Sequence, residues 1–190
     1  SQLVVLPGGV KVLIDGGRSD NKVLDQLAEV MPPLDQTIDA VVVTHPHADH
    51  IGGLPAVMAR YEVGIILEAE EKYESGIYRT WKQGADAEGA QQVSGVAGRA
   101  LDLGGGVRLT VIYPFQSGQG VTTDEPHEYN VTTLLEYGET SILLTGDMEA
   151  DAEQALIHRG MPIDVDVLKV GHHGSRTSSS TAFLQAVSPQ

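Results

Sequence analysis

The chain has no cysteine in 190 residues, which removes disulfide frameworks, thiolate zinc sites, iron–sulfur clusters and cysteine nucleophiles together. Aromatic residues are scarce as well. One Trp, six Tyr and two Phe, not interleaved with basic residues, make no stacking platform for single-stranded nucleic acid. Cations are the third shortage: twelve Lys and Arg face 26 Asp and Glu, a formal charge of −14, which repels nucleic acid and anionic membranes at long range. No apolar run approaches the ~18 residues of a membrane span. No basic-then-apolar leader opens the chain, although that decides nothing about export.

What remains is a chain with 41% hydrophobic residues, read as one domain over 1–190 with a single sizeable core. Apolar runs at Leu3–Leu6 and Val10–Ile14 flank Pro7-Gly8-Gly9 and predict a hairpin. Val23, Leu24, Leu27 and Val30 mark a helical face, with Ser19 or Asp20 as its cap and Pro32-Pro33 as its stop. Ile38–Val43 and Val63–Leu67 read as strands buried on both faces, with a short helix at Leu54–Arg60 between them. Glu68 to about Gln92 reads as one or two exposed helices, interrupted by Gly76, Gly84 and Gly89. Hairpins are expected at Ala100–Leu103 with Val107–Tyr113, and at Val131–Tyr137 with Ser141–Thr145. A helix at Glu149–Arg159, a strand at Val165–Val170 and a helix around Thr181–Val187 complete the pattern of an α/β protein whose helices cover sheets. The polar, glycine-rich stretch Pro114–Tyr129 is long for a connection, which marks a functional loop beside a site.

Five of the seven histidines fall in two short clusters. Thr44-His45-Pro46-His47-Ala48-Asp49-His50 places four potential metal ligands within six residues, directly after a buried strand. His45 and His47 emerge on one side of an extended turn, whereas Asp49 and His50, one step into the next helix, can reach a second ion. That division suits two metals ~3.5–4 Å apart. Leu143-Leu144-Thr145-Gly146-Asp147 ends a second strand on a carboxylate short enough to bridge two cations; a helix cap is its alternative reading. Lys169-Val170-Gly171-His172-His173-Gly174-Ser175 ends a third on two histidines between glycines.

These motifs resemble the metallo-β-lactamase fold superfamily of binuclear metallohydrolases. More narrowly, Asn130-Val131-Thr132-Thr133-Leu134-Leu135, Leu144-Thr145-Gly146-Asp147, Asp166-Val167-Leu168-Lys169-Val170 and His172-His173-Gly174-Ser175 are similar to the metallo-β-lactamase-like domain of ComEC-type DNA-uptake proteins. The resemblance implies a four-layer αββα sandwich with the metal site at the mouth where strand-end loops converge. It also implies that His45 and His47 hold the first ion, Asp49 and His50 the second, that Asp147 bridges them, and that one of His172 and His173 completes the second site. The other histidine of that pair lies beside the ion or contacts substrate. Most members place a third histidine on the first metal. The matching position here is Asn130, whose neutral amide oxygen would shift the preference from zinc towards manganese. His127, three residues earlier, is the alternative at that position and is read as an exposed loop histidine. Asp15, in the family's Asp-Gly turn, would orient a ligand histidine, or is a plain turn residue. Ser175 and Arg176 are candidates for binding a substrate phosphate. Asp49, His172 and His173 are the catalytic candidates.

The expected function is metal-assisted hydrolysis of a phosphodiester with two divalent ions, zinc or manganese. The partner is DNA held by another domain, or a small phosphodiester; a phosphocholine-type esterase or a metal-stabilised binding or regulatory module without turnover are the alternatives. By analogy with the family the domain works outside the cytoplasm or at a membrane, although no membrane segment lies in this chain. The family's opening strand and closing strands have no match here, so the chain reads as an excerpt of a longer protein.

Overall fold

The computed structural model describes residues 1–190. Strands β1 (Gln2–Val5) and β2 (Lys11–Ile14) form the expected antiparallel hairpin. Helix α1 (Asp20–Val30) then buries Val23 and Leu27, the two apolar positions that its period of 3.6 brings to one face. Its N-cap is Ser19, which makes no side-chain capping bond. Strand β3 (Thr37–Val42) pairs parallel to β2. The short helices α2 (Ala48–Ile51) and α3 (Leu54–Arg60) lead into β4 (Glu62–Glu68), parallel to β3.

The segment after β4 departs from expectation. It forms one helix, α4 (Gly76–Glu88), followed by a strand, β5 (Gln91–Ser94), which extends the sheet parallel to β4. Gly76 opens the helix and Gly89 closes it in the left-handed conformation that favours glycine, so only Gly84 lies in its interior. The helix is not wholly exposed either: Trp81 is fully buried and Ala85 nearly so. A four-residue spacing of apolar side chains on an otherwise charged helix is enough to dock it.

The second half builds the other sheet from β6 (Ala100–Gly104), β7 (Val107–Tyr113), β8 (Thr132–Tyr137), β9 (Thr140–Leu144) and β10 (Val167–Lys169), in the order β10-β9-β8-β7-β6. Its pairings are antiparallel except β10 with β9. Helices α5 (Ala150–His158) and α6 (Thr181–Val187) follow the last two strands.

Three buried clusters establish the layering. The first joins α1, α3 and α4 to β2, β3 and β4 through Leu27, Val57, Trp81, Val41 and Ile66. The second lies between the sheets, with Val12, Ala40 and Val42 meeting Leu109, Val111 and Leu135. The third packs α5 and α6 on the far face of the second sheet through Leu143, Leu156, Phe183 and Val187. Successive strand residues alternate between clusters, as in Leu13 outward and Val12 and Ile14 inward. The result is helix, sheet, sheet, helix: the expected αββα sandwich.

One buried carboxyl is a cost of this packing. Glu71 is 5% exposed, and burial, aided by the Glu68 and Glu70 charges, pushes it up to about 8. Between pH 4.5 and 8 the folded chain holds this proton and the unfolded chain does not, so stability falls across that window as pH rises. Glu71→Gln is expected to raise the thermal midpoint at pH 8 by several degrees, on the order of 2 kcal/mol, and to change it little at pH 4.5. Thermal melts at the two pH values check this.

Candidate metal centre

The C-terminal ends of β3, β9 and β10 point to one mouth of the sandwich, and each opens into a ligand-bearing loop. After β3, Thr44 and His45 are buried. Then α2 begins with His47 as its N-cap, whose ring makes no capping bond and turns instead to His45. Asp49 and His50 occupy its first turn. After β9, Gly146 turns the chain with φ +56; a Cβ there would lie 2.5 Å from Asn130 Oδ1 and 2.7 Å from Thr44 Cβ, so only glycine brings Asp147 into place. After β10, His172 and His173 both take positive φ, 42° and 53°. Asp15, at the end of β2, does so as well at 58°. Non-glycine residues held in this region at a site are strain kept by the surrounding structure.

The first histidine loop and the second converge. Asp147 Oδ2 lies 3.1 Å from His50 Nε2, 3.4 Å from His173 Nε2 and 3.9 Å from His172 Nε2. His173 Nε2 is also 3.6 Å from Asp49 Oδ2. His45 Nε2 and His47 Nδ1 are 3.0 Å apart. Four overlapping sets have their ligand atoms within 4.8 Å of one another: His45, His47 and His127; His45, His50 and Asp147; Asp49, His50 and His173; and His127, Glu149 and His172.

The hydrogen bonds around these groups aim their nitrogens. Thr44 Oγ1 donates its single proton to Asp15 Oδ2 at 2.8 Å, so at 3.1 Å from His45 Nδ1 it can only accept. His45 is thereby held in the Nδ1–H tautomer with Nε2 bare towards the centre. His50 Nδ1–H donates to Asp15 Oδ2 at 2.7 Å and His172 Nδ1–H to Glu149 Oε1 at 2.9 Å. Asp15 thus performs the orienting task read from its Asp-Gly turn, and its other oxygen accepts from the Thr44 backbone N–H.

Charge follows the same pattern. Burial, with the neighbouring His50 charge, pushes His45 far below its ordinary value; burial also lowers His47 and His127. These three rings are neutral, as metal ligands must be. His50 behaves oppositely: burial works against its charge, but the Asp147 and Asp15 carboxylates raise it to about 9. Burial would raise Asp147, yet the His50 ring facing it at 3.1 Å holds it well below the carboxylate range.

Three buried polar atoms at this mouth, His50 Nε2, His127 Nε2 and Asp147 Oδ1, have no hydrogen-bond partner. His50 Nε2 faces Asp147 Oδ2 at 3.1 Å without hydrogen-bond alignment. Buried groups are normally paired, and beside them His45 Nε2 and His47 Nδ1 lie 3.0 Å apart, close to the ~3.3 Å between ligands of a tetrahedral ion with bonds of ~2.0–2.1 Å. The donor set fits divalent metal ions.

The family comparison adds to this geometry. All of residues 1–190 match the metallo-beta-lactamase superfamily. The chain belongs to that superfamily. Its donor set and framework are those of a metal-dependent hydrolase of this kind. The metallo-beta-lactamase-type chain is 29% identical over 190 residues to Recombination protein 2 of Haemophilus influenzae, covering 98% of this chain and 21% of that protein. It is 29% identical over 161 residues to ComE operon protein 3 of Bacillus subtilis, covering 80% and 19%. The chain therefore spans about a fifth of the length of these relatives. Zinc-bound PqqB from Methylobacterium extorquens shares its fold, with a TM-score of 0.55 at 14% identity over 87% of this chain and 57% of that one.

One expected ligand is corrected. Asn130, fully buried, has its amide engaged inside the framework: Oδ1 accepts from the Asp147 backbone N–H at 2.8 Å, and Nδ2 donates to Thr145 O at 2.8 Å and Thr132 Oγ1 at 3.1 Å. It holds the Asp147 turn in shape. His127, on a 3-10 turn over Pro126–Tyr129, joins His45 and His47 instead, with ring centroids 4.9 and 4.8 Å away. Glu149 was not singled out from the sequence, where it reads only as a helix start. Ser175 Oγ bonds within its own loop to Thr177, and Arg176 is exposed in the same loop.

Two variants separate these tasks. His127→Ala is expected to lower the bound metal by one equivalent with little change in melting temperature. Asn130→Ala leaves the Asp147 N–H and Thr145 carbonyl unpaired and is expected to cost about 2 kcal/mol of stability. Metal analysis beside thermal melting checks both.

Proposed function

We propose that this domain is a binuclear phosphodiesterase, holding one ion between His45, His47 and His127 and a second between Asp49, His50 and His173, with Asp147 between them. The observation that carries the proposal is the convergence of unpartnered buried ligand atoms from the ends of β3 and β9 and from the 3-10 turn that bears His127. Three neutral imidazoles at the first position favour zinc there, since the amide that would have shifted it towards manganese faces away; manganese remains the alternative at the carboxylate-bearing second position. Two divalent ions bound here supply an activated water at neutral pH and neutralise charge developing on phosphoryl oxygens. Asp49, half-buried beside His173, accepts a hydrogen bond from the attacking water. His172, held by Glu149, turns Nε2 towards the reacting phosphate.

Phosphodiesters are preferred over lactams because the His172-His173-Gly174-Ser175 motif is similar to the DNA-uptake branch, whose relatives above bear recombination and ComE operon names. The charge shapes the substrate. Two divalent ions bring −14 to −10, still far from a surface that collects DNA. Long DNA therefore needs another part of a larger protein to hold it, whereas a short nucleotide diester needs none. No helix is long and apolar enough to cross a membrane; by analogy with the DNA-uptake branch the domain works outside the cytoplasm or at a membrane.

Metal analysis with a phosphoester panel tests the proposal. Two equivalents of zinc or manganese and metal-dependent cleavage of bis-p-nitrophenyl phosphate or a dinucleotide support it. One tightly held ion with no turnover on any phosphoester overturns it in favour of a metal-stabilised binding module.

A further inference from the structure

Beside the metal centre lies a cavity of about 810 Å³, set between the end of β7 and helix α5. His127, Glu149 and Thr177 line it as well as belonging to the metal-side network, so a molecule filling it would lie against residues of the candidate metal centre. One wall is aromatic. Tyr113 and Phe115 meet edge to face with centroids 5.4 Å apart, and the Arg159 guanidinium lies over the Phe115 ring, 4.0 Å from its centroid. Tyr113 Oη donates to Glu128 O at 2.9 Å, which fixes the wall. The remaining walls carry the carboxylates of Glu125, Glu128 and Asp151.

We infer that this cavity is a base subsite, which takes an amino-bearing nucleobase of a phosphodiester whose phosphate sits at the ions. The volume lies in the range of small-molecule sites. Rings and a guanidinium are the surfaces on which bases stack. Carboxylates accept hydrogen bonds from exocyclic amino groups, and they repel further phosphates. The only cation on the wall, Arg159, already covers a ring, so no second phosphate is held. The substrate class is thus a short diester such as a dinucleotide, in preference to a polyphosphate or a long strand. A quaternary ammonium headgroup is disfavoured because the Arg159 guanidinium over Phe115 would repel it, whereas a flat base can stack on the guanidinium itself.

This assignment rests on the phosphodiesterase reading, and the test keeps the two apart. Calorimetric titration of the metal-loaded chain uses adenosine, purine riboside, which lacks the amino group, adenosine triphosphate and phosphocholine. Adenosine is expected to bind most tightly. Phe115→Leu and Arg159→Ala are each expected to weaken it about tenfold or more, and to raise KM for a dinucleotide without changing kcat or metal content. Adenosine binding that both variants leave intact, no adenosine binding at all, or phosphocholine binding in its place overturns the subsite. Adenosine binding lost in the variants, with no diester cleaved by the parent chain, upholds the subsite and overturns the catalytic reading. Arg159 is exposed at the end of α5, so its variant reports on binding even where Phe115→Leu disturbs the fold.

Discussion

Asp147→Ala is expected to remove both metal ions together and to reduce phosphodiester cleavage about 10³-fold or more, since each bound ion contributes several kcal/mol of charge stabilisation in the transition state. The residue is 2% exposed and sits within 3.1–3.9 Å of three histidine nitrogens from both histidine loops, the one carboxylate that faces both loops from the end of β9. His45→Ala is the comparison. It removes a nitrogen from the first position and leaves Asp49, His50, His173 and Asp147 intact, so one ion should remain. Metal analysis of the two purified variants decides the matter: an Asp147→Ala protein with both ions bound would end the bridging assignment. The loss should not be an unfolding effect, because Asn130 holds the surrounding turn through the Asp147 backbone N–H, which alanine retains.

The same comparison shows how far the sequence carries. The strands were legible because Val- and Ile-rich runs such as Ile38–Val43 are buried on both faces, and that burial leaves a mark in composition. The candidate ligands of the first loop were legible because four of them lie within six residues on one turn, and the structure brings them together. His127 was not. Its place beside His45 and His47 arises from a 3-10 turn in a polar loop eighty residues away, and nothing local distinguishes it from a solvated histidine. Asn130 entered the ligand set only through the family resemblance, as the position matching a third histidine, and its partners, the Thr145 carbonyl and the Asp147 N–H, are backbone groups that a motif does not reveal. Strand β5 was missed because Gln91-Gln92-Val93-Ser94 has little apolar signal. As an edge strand it is held by its pairing with Ile65–Glu68, a tertiary feature.

Asp15→Asn is expected to flatten the pH dependence of metal binding. In the metal-free protein His50 is raised to about 9, so an ion binding below that pH must displace a proton, and affinity should climb about tenfold per unit from pH 7 to 9 and then level. Asparagine keeps the backbone conformation, which it tolerates at positive φ, and its oxygen can still accept from Thr44. It no longer offers two acceptor oxygens, and an amide N–H facing His50 Nδ1 forces the proton onto Nε2, where it blocks the ion. At pH 9 the variant should therefore bind metal about 10–100-fold more weakly. At pH 7 the gap should narrow, because with one carboxylate partner lost His50 holds its competing proton less firmly. The metal-free stability carries the opposite sign. A histidine raised above its unfolded value of 6.5 stabilises the fold by about 3 kcal/mol below pH 6.5 and loses that contribution as pH rises through 9, so the parent protein, and not the variant, should melt progressively lower across that window. Metal titrations at pH 7 and 9, with melts of the metal-free forms, measure both slopes; equal slopes in the two proteins would show that Asp15 does not hold the His50 proton.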